Sequence, residues 1–203
     1  MRIRGNEKLG HQHKFTSVLH APVCKGTILE YAAYLAAALE LKGGNVILQT
    51  GENPQWPAGV PLPSCVVDNQ ISPSAQLRFG TPRWAQDRFR MAFHNSYKRW
   101  KLAQERQANI VHIQLVLPRV DWLFIRLHQR TAKVVCTVHD VVPHIYKLPP
   151  LLDQLLRRDC YQVADGLIFH TAFNQSQFET VYSFSPRHTS IIPHGLTWFG
   201  NVN

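Results

Sequence analysis

Val134, Val135, Cys136, Thr137 and Val138 run without polar alternation and end at His139 and Asp140. A β-branched run of this kind reads as a strand buried on both faces, as in a parallel sheet. That reading constrains the whole chain. Parallel strands need crossover connections, so helices must alternate with strands along the sequence. Pro143 stops regular pairing, and Pro149 and Pro150 precede a new helix. In open α/β sheets, ligands collect at the carboxyl ends of strands. The His139–Asp140 pair therefore marks a candidate site. A loop histidine bonded to a neighbouring carbonyl is the plainer alternative.

The rest of the sequence alternates as required. Phe15 to His20 reads as a strand, followed by a loop to Gly26. Thr27 reads as an N-cap with Glu30 three residues on, a capping-box pattern. The helix it starts should reach about Lys42 and stop at Gly43–Gly44. Asn45 to Thr50 is a second strand. The turn at Lys25, Gly26 and Thr27 places a cation and a glycine before a helix N-terminus, a natural phosphate seat. It carries no G-x-G-x-x-G or Walker pattern, so an ordinary tight turn is the plainer reading. Residues 51–82 form a long proline-containing stretch in which Cys65 to Asp68 alone looks like a strand. Beyond it, strands at Asn109–Leu115, Lys133–Val138, Gly166–His170 and Thr189–Ile192 alternate with helices at Val120–Arg130, Leu151–Val163 and Phe173–Tyr182. The expected fold is α/β: a doubly wound, mostly parallel Rossmann-like sheet with helices on both faces.

Composition narrows the partners. With 45% hydrophobic and 17% charged residues, the chain of 203 residues can build a core. Its net charge of +9 calls for an anionic partner: nucleic acid, a phospholipid surface or a phosphorylated substrate. The excess lies in the first half, where residues 1–110 carry 14 basic and 7 acidic side chains against 8 and 6 in residues 111–203. Much of it falls on a long helix expected from Arg83 to Arg106, which has 7 basic and 2 acidic residues. Ala85, Phe89, Ala92, Phe93, Ser96, Trp100 and Ala103 share one face of it at helical spacing. An amphipathic helix packed on the sheet is one reading, and an interfacial helix on an anionic membrane the other. Nucleic acid is disfavoured because no binding motif or stacking platform is present.

Cys24, Cys65, Cys136 and Cys160 are widely spaced without a C-x-x-C, which reads as reduced thiols. The N-terminus lacks an apolar signal core, and no run reaches the roughly 18 apolar residues of a membrane span. The expectation is a cytoplasmic protein with, at most, a peripheral membrane contact. Polar groups recur just after strands: His20, Gln114, His139–Asp140, His170–Thr171 and His194. In a parallel sheet these ends share one edge and could line one cleft. No H-E-x-x-H or paired cysteines support a metal site.

The segments N-I-V-H-I-Q, V-V-C-T-V-H-D-V-V-P-H, A-D-G-L-I-F-H-T and S-I-I-P-H-G-L together resemble the N-terminal domain of family 4 glycosyltransferases, over about Phe15 to Leu196. The resemblance implies one half of a two-Rossmann, retaining enzyme that uses a nucleotide-sugar donor and a sugar or lipid-linked acceptor, without metal or cofactor. His139 matches the family histidine that faces the reacting sugar. Lys25–Gly26 falls at the glycine-rich turn beside the donor diphosphate, with Lys25 where one glycine is expected. Thr27 begins the adjoining helix, and Asp140, His144 and Tyr146 would shape the acceptor side. His194–Gly195 matches the exit to a second domain, so residues 1–14 read as a flexible extension, 15–196 as the domain and 197–203 as the start of a linker.

The second domain of the family carries two glutamates eight positions apart, and no two glutamates of this chain have that spacing. The chain reads as an acceptor half without its donor half: a fragment, a truncated product or a subunit of a split enzyme. Trp198 and Phe199 would then belong to an apolar face awaiting a partner. The rival readings are a non-catalytic basic module for anionic lipid, nucleic acid or a partner subunit, and a catalytically silent relative that docks such a subunit. His139 is expected to face the cleft and to be held by backbone groups, since adjacent residues at a strand end point apart.

Overall fold

The computed structural model describes residues 15–71, 78, 80–142 and 148–193. His144, Tyr146, His194, Gly195, Trp198 and Phe199 lie outside them. The elements are β1 (Phe15–Ala21), α1 (Thr27–Leu41), β2 (Gly44–Gly51), β3 (Cys65–Gln70), α2 (Pro82–Glu105), β4 (Ile110–Ile113), α3 (Pro118–His128), β5 (Lys133–Val138), α4 (Pro150–Val163), β6 (Gly166–Phe169), α5 (Ala172–Tyr182) and β7 (Thr189–Ile191). All seven strands are parallel, in the order β3-β2-β1-β4-β5-β6-β7. The chain winds outward from β1 to β3, crosses back through α2, and winds the other way from β4 to β7. The reversal lies between β1 and β4, where Val18 pairs with Val111. Such a switch point opens a crevice at the strand ends.

Strand alternation sorts the core into two layers. Leu19, Ala21, Val46 and Leu48 pack against Ala32, Ala33 and Ala36 of α1. On the other face, Val18, Val111, Ile113, Val134, Cys136, Leu167 and Phe169 meet residues of α2 to α5, including Leu102, Ile125, Cys160 and Phe178. Among the described residues, the face on the α1 side is open over β5 to β7, where a groove of about 450 Å³ is lined by Val135, Gly166, Ile168, Ser190 and Ile192 among others.

Two local expectations are corrected. Thr27 is the first helical residue of α1, not its N-cap. Gly26 takes the cap position at φ 92° with no side-chain cap, and its carbonyl accepts from the Leu29 and Glu30 amides. Glycine wins the position because that backbone conformation is strained for any other residue. At the far end Gly43, at φ 85°, closes the helix, while Gly44 already belongs to β2. The capping threonines are elsewhere: Thr81 and Thr171 accept from the amides three residues on, at the starts of α2 and α5.

The second correction concerns the face that α2 buries. Ala92, Ser96 and Ala103 are inside as expected, but Ala85, Phe89 and Phe93 are exposed, and Arg99 is fully buried. Arg99 Nη2 donates to Asp121 Oδ1 at 2.6 Å, and its Nε donates to His128 Nε2 at 3.3 Å. Ser96 Oγ donates to the same Asp121 oxygen, and the Leu117 amide donates to Asp121 Oδ2. The helix turns its charged residue inward because a carboxylate and an imidazole wait there for two of its three nitrogens, Nη1 alone having no partner among the described residues, and buried charges require such pairing. Cys24, Cys65, Cys136 and Cys160 are free thiols.

Two predictions follow from this interior. Asp121→Ala strands the Arg99 charge and should cost about 3–5 kcal/mol in denaturant unfolding. Burial, with Arg99 beside it, holds His128 down to about 3, and burial alone holds His112 down to about 4, from an ordinary 6.5. The unfolded chain therefore binds more protons below pH 6.5, so their stability contribution is complete above that pH and is lost as pH falls toward the folded values. Unfolding free energy should drop between pH 6.5 and 5 by up to about 1.4 kcal/mol per pH unit for each histidine. His128→Gln should flatten that slope by one histidine's share.

Candidate functional site at the strand ends

β5 sends Val134, Cys136 and Val138 toward α3 to α5, so Thr137 and His139 point to the α1 face. His139 is half-buried there and Asp140 is exposed beside it. Hydrogen-bonded side chains hold His139. Its Nε2 lies 3.1 Å from Gln114 Oε1 and its Nδ1 3.0 Å from His170 Nε2. Expected backbone positioning thus gives way to side-chain positioning. His170 Nδ1 donates in turn to the Ile192 carbonyl at 2.9 Å. The two imidazoles lie 4.8 Å apart, and Tyr31 of α1 meets both edge-on, at 6.0 Å from His139 and 5.0 Å from His170. Below them Gln114 reaches His112, which bonds Thr137 Oγ1 at 2.8 Å.

The two rings sit in a row between the Ile192 carbonyl and the Gln114 side chain, and burial pushes His170 below its ordinary value.

Gln114, His139 and His170 are brought together as expected, and Thr171 stands next to them as the cap of α5. Asn174 Nδ2 donates to the His139 carbonyl at 3.5 Å, a contact with no signal in the sequence. His20 is not part of the edge. It shares the parity of Val18, is fully buried on the α2 face, and bonds Gln49 Oε1 at 3.2 Å. Burial and the nearby Arg99 push it well below the ordinary histidine value. Lys25, Gly26 and Thr27 are exposed at the start of α1, one turn ahead of Tyr31. The amide-rich end of that helix and the Lys25 ammonium make the rim electropositive. Among the described residues, no group of three or more histidine, cysteine or acidic side chains gathers as a metal site. No described helix is long and apolar enough to cross a membrane.

A doubly wound parallel domain with a polar strand-end crevice beside a helix N-terminus defines a Rossmann-like class of fold, in which ligands collect at the strand ends. The family model for Glycosyltransferase Family 4 matches residues 30–197, and the chain belongs to that family. No curated protein matches the sequence. Among solved structures, the chain is similar to sucrose-phosphate synthase from Thermosynechococcus elongatus, with 16% identity, TM-score 0.56, and coverage of 90% of this chain and 91% of that one. It is also similar to UGT73P12 of Glycyrrhiza uralensis, at 11% identity and TM-score 0.55 over 90% of this chain. A third is the UDP-N-acetylglucosamine 2-epimerase of Rickettsia bellii, at 11% identity and TM-score 0.51 over 89% of it. The chain spans about half of the last two, 49% and 45% of their lengths.

The turn before α1 yields a test. Gly26 has open space where a Cβ would sit, but its backbone conformation suits glycine alone. Gly26→Ala should cost about 1–3 kcal/mol in thermal or denaturant unfolding. Exposed Lys25→Ala should stay within about 0.5 kcal/mol of the parent.

Proposed function

We propose that this chain is the acceptor-side half of a retaining glycosyltransferase that uses a nucleotide-sugar donor and depends on a second, donor-binding domain. The observation that carries this reading is the clamped His139, fixed by Gln114 and His170 at the strand-end crevice within reach of the start of α1. Membership of family 4 and the half-length match to two of the neighbours support it.

In this reading the donor sugar lies over His139 and its diphosphate over the Lys25–Gly26–Thr27 turn. As the glycosidic bond to the diphosphate breaks, negative charge grows on the leaving oxygens. The α1 N-terminus and Lys25 oppose it with groups already in place. His139 bonds a sugar hydroxyl, and because Gln114 and His170 fix its ring, no side-chain freedom is lost when the sugar arrives. Asp140 stands on the solvent side, next to His144 and Tyr146 in sequence, and these three shape the acceptor side. The charge of the leaving diphosphate is met by protein groups, so the reading calls for no metal and no cofactor. It places the protein in the cytoplasm, where nucleotide-sugars are substrates.

Transfer assays with a nucleotide-sugar, with and without a separately supplied donor-binding domain, test the dependence. Turnover only in the mixture supports it, and full turnover by this chain alone overturns it. In the active mixture, His139→Ala should lower turnover on the order of 100-fold or more with the melting midpoint held. Unchanged turnover with a lowered midpoint would return His139 to a packing role.

A further inference from the structure

On the α2 side of the sheet, the segment after β4 (residues 115–117), the start of α3 and residues of α2 and α4 enclose a recess of about 120 Å³. Arg88 of α2, Arg119 of α3 and Arg157 of α4 all line it, with Asp153 as the one carboxylate. That carboxylate is taken: Asp153 Oδ2 pairs with Arg157 Nε at 2.5 Å. No ion pair among the described residues reaches Arg88 or Arg119. Arg88 Nε is buried without a hydrogen-bond partner, while its guanidinium lies over the Trp84 ring at 5.5 Å. Burial pushes Arg119 below its ordinary value; the Asp153 carboxylate opposes that shift and the neighbouring Arg88 charge adds to it. Three guanidinium groups thus share one carboxylate in this recess. Planar guanidinium forks from three directions match the oxygens of a phosphate.

The surroundings of the recess decide where that phosphate comes from. Fourteen large apolar side chains are exposed among the described residues, and eight of them lie on α2, α3 and α4. Phe89, Phe93 and Tyr97 form a stripe on α2 at steps of four residues. Trp122 and Leu123 continue it on α3, and Leu151, Leu152 and Leu155 on α4. The helices are adjacent: Phe93 packs on Phe124 of α3 at 5.6 Å, and Arg126 of α3 bonds Asp159 of α4 at 2.6 Å. Arg83, Arg90 and Lys101 stand exposed on α2 beside the stripe. Exposed aromatic and leucine side chains with flanking cations are what an interfacial surface presents to anionic lipid. A soluble phosphate would gain nothing from them.

We propose that this recess binds the phosphate headgroup of an anionic lipid, and that the outer faces of α2, α3 and α4 lie against the bilayer. The surface needs three helices, and α2 alone would not make it, because Arg99 and much of the expected apolar face of α2 are buried in the core.

Co-sedimentation with vesicles of phosphatidylcholine alone, or doped with phosphatidic acid, tests the proposal. The protein should bind the doped vesicles, less so as salt rises, and not the neutral ones. Arg88→Gln and Arg119→Gln should each lower apparent affinity about fivefold, the effect of one cation near an anionic surface. Arg187→Gln, away from the recess, should leave it unchanged and so exclude a mere net-charge effect. Arg119→Gln removes no hydrogen bond or ion pair among the described residues, so it should keep the melting midpoint near that of the parent, and it carries the test alone if Arg88→Gln does not fold. Equal binding by the recess variants and the parent, or equal binding to neutral vesicles, overturns the proposal. Inorganic phosphate provides a separate arm. A midpoint raised by phosphate in the parent but not in Arg119→Gln, without vesicle binding, would overturn the lipid assignment in favour of a soluble phosphate.

Discussion

A full positive charge without water is the constraint on which this domain turns. Arg99 is completely enclosed, and the free energy of an unpaired guanidinium there would exceed what its helix could supply. Its partners are Asp121 and His128 on α3, and Asp121 is held in turn by the Ser96 hydroxyl on α2 and the Leu117 amide. Satisfying the charge therefore fixes how α2 lies on α3 and where the segment between β4 and α3 runs. Gln114 sits in that segment, its amide bonded to the His20 carbonyl. The orientation of His139 is thus set at one remove by a charge on the opposite face of the sheet.

Much of the architecture was legible because the β-branched strands announce themselves. The run ending at Val138, and the regular return of helices after strands, define a parallel sheet without further information. Alternation also indicates which side of a strand a residue takes, which is how His139 and His170 come to share a face. The same alternation puts His20 on the other face, but the grouping by strand ends ignored parity. The face of α2 was misjudged for a related reason. Hydrophobic periodicity treats arginine as outward, and only the distant Asp121 and His128 make an inward Arg99 tolerable. Likewise Thr27 carries a good capping side chain, yet a glycine conformation one residue earlier took the cap. Contacts between residues far apart in sequence, such as Asn174 to the His139 carbonyl, leave no local trace.

The histidine pair shows how a parallel sheet places particular side chains together at its edge. Parallel strands deliver their last residues side by side, and β5 and β6 happen to end in imidazoles 4.8 Å apart. Tyr31 closes one side, so the rings are sheltered without being sealed. Held between the Ile192 carbonyl and the Gln114 side chain, the two rings keep fixed orientations.

The open face over β5 to β7 bears on dynamics. A parallel sheet is normally covered on both sides, and among the described residues the cover thins from α1 toward β7, whose three residues are all exposed. Amide protection should decline in the same direction, slowest to exchange at β1 and β4 and fastest at β7. Ile192, next to that edge, supplies the carbonyl that orients His170. Fraying of the weakest strand would therefore loosen the clamp on His139 first. Whatever shields the edge, a bound molecule or another protein surface, would stiffen the crevice as well as the sheet.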